Sequence, residues 1–192
     1  MLDKSLPYYN VIMKRSANIP VMEPALPEGF SFVYYSDGLE LKWADIECSV
    51  GEFDTIEAAT DYFVSKYLPY VDELYKRLIF VRDKNDDEIA TVTGWWDDSV
   101  KGRDASLHWL AVKPGYQGLG IGKALVHKCL QVLGETERNK DVYLHTQTWS
   151  YKAIGIYLKM GFEIVETETF GHYKNDYWQA KPFLMEKLKG FL

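Results

Sequence analysis

A chain of 192 residues, 47% apolar and 26% charged, has the size and composition of one globular domain with a sizeable core. Its 22 basic residues against 28 acidic ones give a formal charge of -6, which excludes a sequence-independent grip on nucleic acid, because phosphate backbones demand clustered cations. Aromatic residues (6 Trp, 14 Tyr and 9 Phe, 15% of the chain) exclude a disordered chain.

Cys48 and Cys129 lie far apart and outside any C-x-x-C or zinc-ligand spacing, so a reduced, cytoplasmic protein without a metal is expected. Residues 1–7 hold no apolar stretch of a secretion signal, and no uncharged apolar run approaches the roughly 18 residues that would span a membrane. No nucleic-acid or membrane partner is expected, and monomer and homodimer both stay open.

Residues 9–14 and 30–35 are short, rich in β-branched and aromatic side chains, and separated by Pro20, Pro24 and Pro27; both read as strands. The period then changes. Leu39, Trp43, Ile46 and Val50 recur at helical spacing, Gly51 interrupts, and Asp54 with Glu57 resembles a capping box opening a second helix with Ile56, Ala59, Phe63 and Tyr67 on one face. Pro69 stops that helix, and a short turn leads to a strand at 78–81. The polar run 83–87 reads as a turn and 89–96 as the return strand of a hairpin.

Farther on, strand and helix alternate: strand 107–112, helix 120–133 with Ile121, Leu125, Cys129 and Val132 on one face, strand 142–146, and helix 150–160. Ser150 is placed to cap that last helix and Gly161 to end it in the left-handed conformation. Runs 162–165 and 183–187 read as two closing strands. Together these predict an α/β (α+β) domain with a mixed central sheet.

The run from Leu110 to Lys123 is the most informative. A strand enters through Leu110, Ala111 and Val112, the segment Gln117-Gly118-Leu119-Gly120-Ile121-Gly122-Lys123 bends, and a helix leaves. Amides at a helix N-terminus backed by the helix dipole bind anions, and Lys113 and Lys123 flank the turn. A Walker A loop would need glycine at 117 and Ser or Thr at 124, where the chain has Gln117 and Ala124. A G-x-G-x-x-G loop would need glycine at Lys123 or Leu125. What remains is Q-x-x-G-x-G, from Gln117 through Gly120 to Gly122.

That segment resembles the acetyl-CoA-binding motif of the GNAT superfamily of N-acetyltransferases. The later run from Ala153 to Phe162, with Tyr157, Lys159 and Gly161, resembles the same family's A-x-x-L-Y-x-K-x-G-F motif. Ser150 stands where the family often has Asn, and Ile156 replaces the usual Leu. The resemblance covers residues 75 to 187, and the element order also follows the GNAT fold. It implies a single domain over 1–192 with a mostly antiparallel sheet flanked by helices, a cofactor core over 105–165, and an acceptor side in the N-terminal third. It also implies acetyl-CoA as co-substrate, a primary amine as acceptor, and no metal.

The roles follow from the same resemblance. Loop amides from Gln117 to Lys123 hold the pyrophosphate, the strand amides of Leu110, Ala111 and Val112 meet the thioester carbonyl, and Ser150 and Ala153 lie toward the pantetheine. Tyr157 returns a proton to the leaving thiolate. The amine also needs a base, and His108, two residues before Leu110, has the intrinsic pKa for it. Asp97 and Asp98, after Trp95-Trp96, read as a solvated turn or as the carboxylate of a cation-binding wall. Glu47 and Glu52, at the break between the two N-terminal helices, carry the same alternatives. His145 reads as packing, His172 as part of a connection or acceptor loop, and Cys129 as core. A non-catalytic acyl-CoA-binding module is the competing function, and a phosphotransferase is disfavoured by the failed Walker spacing.

Overall fold

A computed structural model describes residues 2–99 and 102–189. In chain order the elements are β1 (Asn10–Arg15), β2 (Ser31–Tyr34), α1 (Glu40–Val50), α2 (Ile56–Lys66), a 3-10 turn at Leu68–Tyr70, α3 (Val71–Arg77), β3 (Leu78–Arg82), β4 (Glu88–Ser99), β5 (Gly102–Val112) and a 3-10 turn at Pro114–Tyr116. They continue with α4 (Ile121–Thr136), β6 (Val142–Gln147), a 3-10 turn at Thr148–Ser150, α5 (Tyr151–Lys159), β7 (Glu163–Ile164) and α6 (Tyr177–Lys187). The strands pair in the order β2-β3-β4-β5-β6-β1-β7. Antiparallel pairing joins β2 to β3, β3 to β4, β6 to β1 and β1 to β7, while β5 runs parallel to β6 through Ala105↔Val142 and Ser106↔Tyr143. This is the mixed, mostly antiparallel sheet with flanking helices expected of the sequence. Among the described residues, no helix is long and apolar enough to cross a membrane.

The chain forms two compact units, one from residues 22–94 and 109–132, the other from the described residues of 2–21, 95–108 and 133–192. In the first, Trp43, Ala44, Ile46 and Val50 of α1 are buried at helical spacing, and Gly51 at φ +88 ends the helix by turning its N–H onto Cys48 O and Glu47 O. Helix α2 begins one residue later than the capping-box reading, because Thr55 is the cap: its Oγ1 accepts from Ala58 N at 3.1 Å, a contact that contributes about 1 kcal/mol. Ala59, Phe63 and Tyr67 are buried as expected, whereas Ile56 is exposed.

Beyond Pro69 the structure has helix α3 where a simple turn was expected. Asp72 and Glu73 occupy its first turn and Lys76 and Arg77 its last, charges that complement the helix dipole. Its Leu74 is fully buried, and Arg77 Nε donates to Glu73 Oε2 at 2.6 Å one turn back. The β3–β4 hairpin closes through Asp83, whose Oδ1 accepts from Asn85 N and Asp87 N at 2.8 and 3.1 Å.

In the second unit Val11, Ile12 and Met13 are fully buried in β1 between β6 and β7. Helix α5 ends in paired bonds around a left-handed glycine: Phe162 N to Tyr157 O at 3.0 Å, Gly161 N to Leu158 O at 3.1 Å, and Gly161 at φ +84. The Tyr157 and Phe162 rings meet at 5.7 Å, the apolar contact that accompanies such a cap. Buried Arg15 donates from Nε to Met160 O and from Nη2 to Pro20 O, both at 2.8 Å, and so covers the carbonyl end of the helix.

Two expectations fail here. Ser150 precedes α5 but makes no side-chain capping bond. The run 183–187 lies in helix α6, not in a strand. Ala180, Leu184 and Leu188 are buried at four-residue spacing, a period that outweighs Pro182, whose missing N–H leaves one helical bond unmade. The closing strand at 162–165 shortens to the two residues of β7.

Candidate active site

The first unit carries the glycine loop. Lys113 N bonds Ile89 O at 2.9 Å, which holds the end of the strand. Tyr116 Oη then donates to Asp83 Oδ2 at 2.8 Å, and its ring meets Phe30 edge-on at 6.1 Å, so the loop is moored to the β3–β4 turn. That bond from Tyr116 holds the Asp83 carboxyl below the usual carboxylate range. Gln117 Nε2 donates back to Val112 O at 2.8 Å, closing the loop on its own strand.

Gly118 and Gly120 adopt φ of +83 and +87, and a Cβ on either would meet nothing within 4 Å. The backbone there is open to an incoming group. Ala124 N to Gly120 O at 3.1 Å is the first bond of α4. The amides of Ile121, Gly122 and Lys123 therefore precede any intrahelical acceptor, and with the helix dipole they suit a pyrophosphate. Lys123 is exposed beside them. Lys113 does not stand ready in the same way, because its Nζ is paired with Asp45 Oδ2 at 2.5 Å.

On β5, Ala111 is buried, and Leu110 and Val112 are partly exposed. One residue earlier Trp109 takes φ +51, far from extended backbone and costly for a bulky side chain, roughly 1–3 kcal/mol. Aromatic packing holds it. Its ring lies 5.9 Å from Trp43 and 5.2 Å from both Phe53 and Tyr62, and its Nε1 donates to Tyr62 Oη at 3.3 Å. Trp43 in turn meets Phe63 at 5.2 Å and Tyr67 at 6.2 Å. Each such edge or tilted contact contributes about 0.5–1.5 kcal/mol beyond burial.

Glu47 is not at a solvated break. It is fully buried, and burial, reinforced by Glu52, pushes its carboxyl well above the usual range. Among the described residues Glu47 Oε1 and Trp43 Nε1 both lack hydrogen-bond partners, and each such orphan costs the fold about 1–3 kcal/mol.

The second unit carries the titratable groups. Asp97, expected in a turn, is buried, whereas Asp98 is exposed. Asp97 Oδ2 lies 2.7 Å from His108 Nε2 and accepts from Ser106 Oγ at 2.9 Å. Ser106 and His108 are two apart on β5 and share a face, with Ser106 Oγ 2.9 Å from the same His108 Nε2. A carboxylate only accepts, so His108 Nε2 carries a proton directed at Asp97. Because serine and aspartate meet one imidazole nitrogen, the trio is not a nucleophilic triad, which places them on opposite nitrogens.

His145, expected to be packing, is set with equal care. Asp176 Oδ2 accepts from Asn10 N at 3.2 Å and from Asn10 Nδ2 at 3.1 Å, which leaves Asn10 Oδ1 facing His145 Nε2 at 2.8 Å. Nε2 must donate, so His145 Nδ1 holds the lone pair. Burial, reinforced by His172 and His108 and opposed by Asp97, lowers its pKa to about 4. The ring stacks on Tyr173 at 4.1 Å, and His172 meets Tyr173 at 4.4 Å. Gly171, at φ +54, lies so close to Asp97 that a Cβ there would stand 3.0 Å from Asp97 Cβ.

Tyr157 is buried, with its place on α5 fixed by the cap described above, while Ser150 and Ala153 are half-buried on the preceding turns. Trp95 and Trp96 are buried and stacked on each other at 4.1 Å, with Arg103 4.3 Å over Trp96. They form no open wall. Trp178 is exposed, with Lys181 Nζ 4.9 Å above its ring. Cys129 is core as expected, and burial pushes its thiol up. Sequence reasoning did not join Asp97 to His108, or Asn10 and Asp176 to His145. Asn10 and Asp176 are 166 residues apart, and no local pattern joins them.

Comparison with known proteins places these features in a family. Residues 45–162 match the Acetyltransferase (GNAT) family, and the chain belongs to it. N-alpha-acetyltransferase 50 of Danio rerio is 29% identical over 119 residues, covering 59% of this chain and 68% of that protein. An uncharacterized N-acetyltransferase of Mycobacterium tuberculosis is 37% identical over 78 residues, 39% of this chain and 49% of its own length. Among solved structures, a GCN5-related N-acetyltransferase from Sphaerobacter thermophilus superposes with a TM-score of 0.63 at 18% identity, covering 83% of this chain and 50% of that one. The chain thus spans about half the length of the mycobacterial relative and of the Sphaerobacter structure.

Proposed function

We propose that the protein transfers the acetyl group of acetyl-CoA directly to a primary amine. The observation that carries this reading is the glycine loop: three first-turn amides of α4 without intrahelical acceptors, beside two left-handed glycines whose outer side is open. That cradle suits the pyrophosphate of CoA, with Gln117 fixing the loop's shape, Leu119 at its tip and Lys123 adding charge. Leu110, Ala111 and Val112 offer amides to the thioester carbonyl, and Ser150 and Ala153 are assigned to the pantetheine. The side chains of Leu110 and Val112 are partly exposed next to the strained Trp109, which supports a strand irregularity at the reacting carbonyl.

An acceptor that arrives as an ammonium first gives one proton to solvent; the amine nitrogen then attacks the thioester carbon, the carbon–sulfur bond breaks, and two further protons move. One leaves the amine for His108 Nδ1, whose tautomer Asp97 sets and whose imidazolium Asp97 stabilises. The other passes from the Tyr157 phenol to the thiolate. His145, neutral and oriented by Asn10, is a second proton-accepting nitrogen in the same unit. The family supports acetyl transfer to an amine in general.

A thiol-release screen of chemically diverse amines with acetyl-CoA, run beside calorimetry of CoA binding, tests the reading. Thiol release that depends on one class of amine is expected. CoA binding without release for any amine would leave an acyl-CoA-binding module in place of an enzyme.

A further inference from the structure

Glu47 and Trp43 have no part in the transfer step above, and one side-chain polar atom of each has no partner among the described residues. They are four residues apart on α1, so their side chains neighbour each other on one face, and both are fully buried. Glu47 Oε1 has no donor and Trp43 Nε1 has no acceptor. Buried polar groups in folded proteins are almost always paired, and a position filled for packing alone takes an apolar side chain. Here an unused acceptor and an unused donor lie on side chains one helical turn apart. The rings of Phe53, Tyr62 and Trp109 stand 5.8, 6.2 and 5.9 Å from the Trp43 ring, and all three are partly exposed.

Aromatic faces attract an ammonium. The Glu47 carboxyl, which holds its proton in the ligand-free fold, gives it up to solvent beside a bound cation, and the carboxylate then accepts the ammonium N–H and balances its charge. An indole N–H then has an oxygen to bind if the same molecule carries one close to its nitrogen. Trp109 links this group to the acyl strand, since it directly precedes Leu110 and holds its φ of +51 through these same rings. Glu52, whose N–H bonds Glu47 O at 3.2 Å, adds a second carboxylate.

We propose that Glu47, Trp43 and the rings of Phe53, Tyr62 and Trp109 form the acceptor subsite. It selects an ammonium with an oxygen acceptor on the neighbouring carbons, the head group of an amino amide or amino alcohol. This assignment rests on the acetyl-transfer reading, whose acceptor it names.

The test titrates the whole chain with leucinamide, leucinol and the ammonium-free 4-methylpentanamide in the presence of CoA, which has no acetyl group to give. Tryptophan fluorescence and calorimetry follow binding. The wild type is expected to bind both amines at least tenfold more tightly than 4-methylpentanamide. Glu47→Gln keeps shape and neutral hydrogen bonding, and should bring that ratio near one without changing CoA affinity. Trp43→Phe keeps the packing and should weaken all three oxygen-bearing probes alike. Whichever of leucinamide and leucinol is favoured tells a carbonyl from a hydroxyl acceptor.

Circular dichroism and CoA affinity confirm that each variant is folded. Equal wild-type binding of leucinamide and 4-methylpentanamide, or an unchanged ratio in Glu47→Gln, overturns the subsite. If amines release thiol while Glu47→Gln keeps the wild-type KM, the subsite falls and acetyl transfer stands. If the ammonium preference is present and lost in Glu47→Gln but no amine releases thiol, the cation site stands and the transfer reading falls.

Discussion

Residues 22–94 and 109–132 handle buried polarity in one way, and the unit built on β1, β6 and α5 in another. In the first, Trp43 and Glu47 keep polar atoms without partners inside an aromatic group, and the loop amides of Ile121, Gly122 and Lys123 precede the first helical bond. In the second, Asp97, Ser106 and His108 share one knot of hydrogen bonds, and Asp176, Asn10 and His145 form a chain that fixes an amide and a tautomer. In the function proposed above, the unpartnered groups receive a ligand and the tied groups hold a proton at a chosen nitrogen. The first unit should accordingly govern affinity and the second turnover.

The harshest way to break that division is Gly120→Glu, which puts bulk, negative charge and a strained φ of +87 into the cradle. CoA binding should disappear by calorimetry, whereas Gly120→Ala, with open space around its Cβ, should cost only the left-handed backbone, about 1–2 kcal/mol. Tyr157→Phe and Asp97→Asn test the other side. Each should lower kcat by about 10²–10⁴ while CoA affinity measured by calorimetry stays within twofold. A loss of affinity in either variant would erase the contrast between the units.

His145 sharpens it through pH. Its pKa falls to about 4 in the fold from an ordinary 6.5, so between those values the unfolded chain binds the extra proton and stability declines as pH drops. Urea midpoints measured from pH 7 to pH 4 should show a loss of up to roughly 3 kcal/mol from this group, and His145→Gln should flatten that slope. Glu47 has the opposite sign. Its raised carboxyl keeps its proton in the fold, so its contribution falls as pH rises above the ordinary carboxylate range. Glu47→Gln should therefore gain a few degrees in Tm at pH 8, at about 2–4 °C per kcal/mol, and much less at pH 4. Thr55→Ala is the smallest change. It removes a cap, costs about 1 kcal/mol by urea denaturation, and should leave both CoA affinity and kcat untouched.

Local chemistry accounts for what the sequence made legible. The glycine loop and the α5 motif depend on backbone geometry, which Gly118, Gly120 and Gly161 announce at fixed spacing, and the helical period of α1, α2 and α4 is carried by large apolar residues. Helix α6 was misread because Pro182 masks the four-residue period of Ala180, Leu184 and Leu188. Helix α3 was missed because it is seven residues of mostly polar chain whose support comes from the Glu73–Arg77 pair. The proposed acid–base group is hidden in the sequence for a different reason. His108 drew notice for its intrinsic pKa, but Asp97 sits in a run that reads as a turn, and Asn10 and Asp176 meet only after most of the chain has been laid between them.

Gly171 sets a rule for anyone who redesigns the chain between β7 and α6. Position 171 lies so close to Asp97 that a Cβ there would stand 3.0 Å from Asp97 Cβ, at a φ of +54 that other residues resist. Libraries that randomise this stretch should hold the glycine fixed. A methyl group there would press on the Asp97 side chain, whose carboxylate meets His108, so under the proposed function such a change is expected to lower kcat.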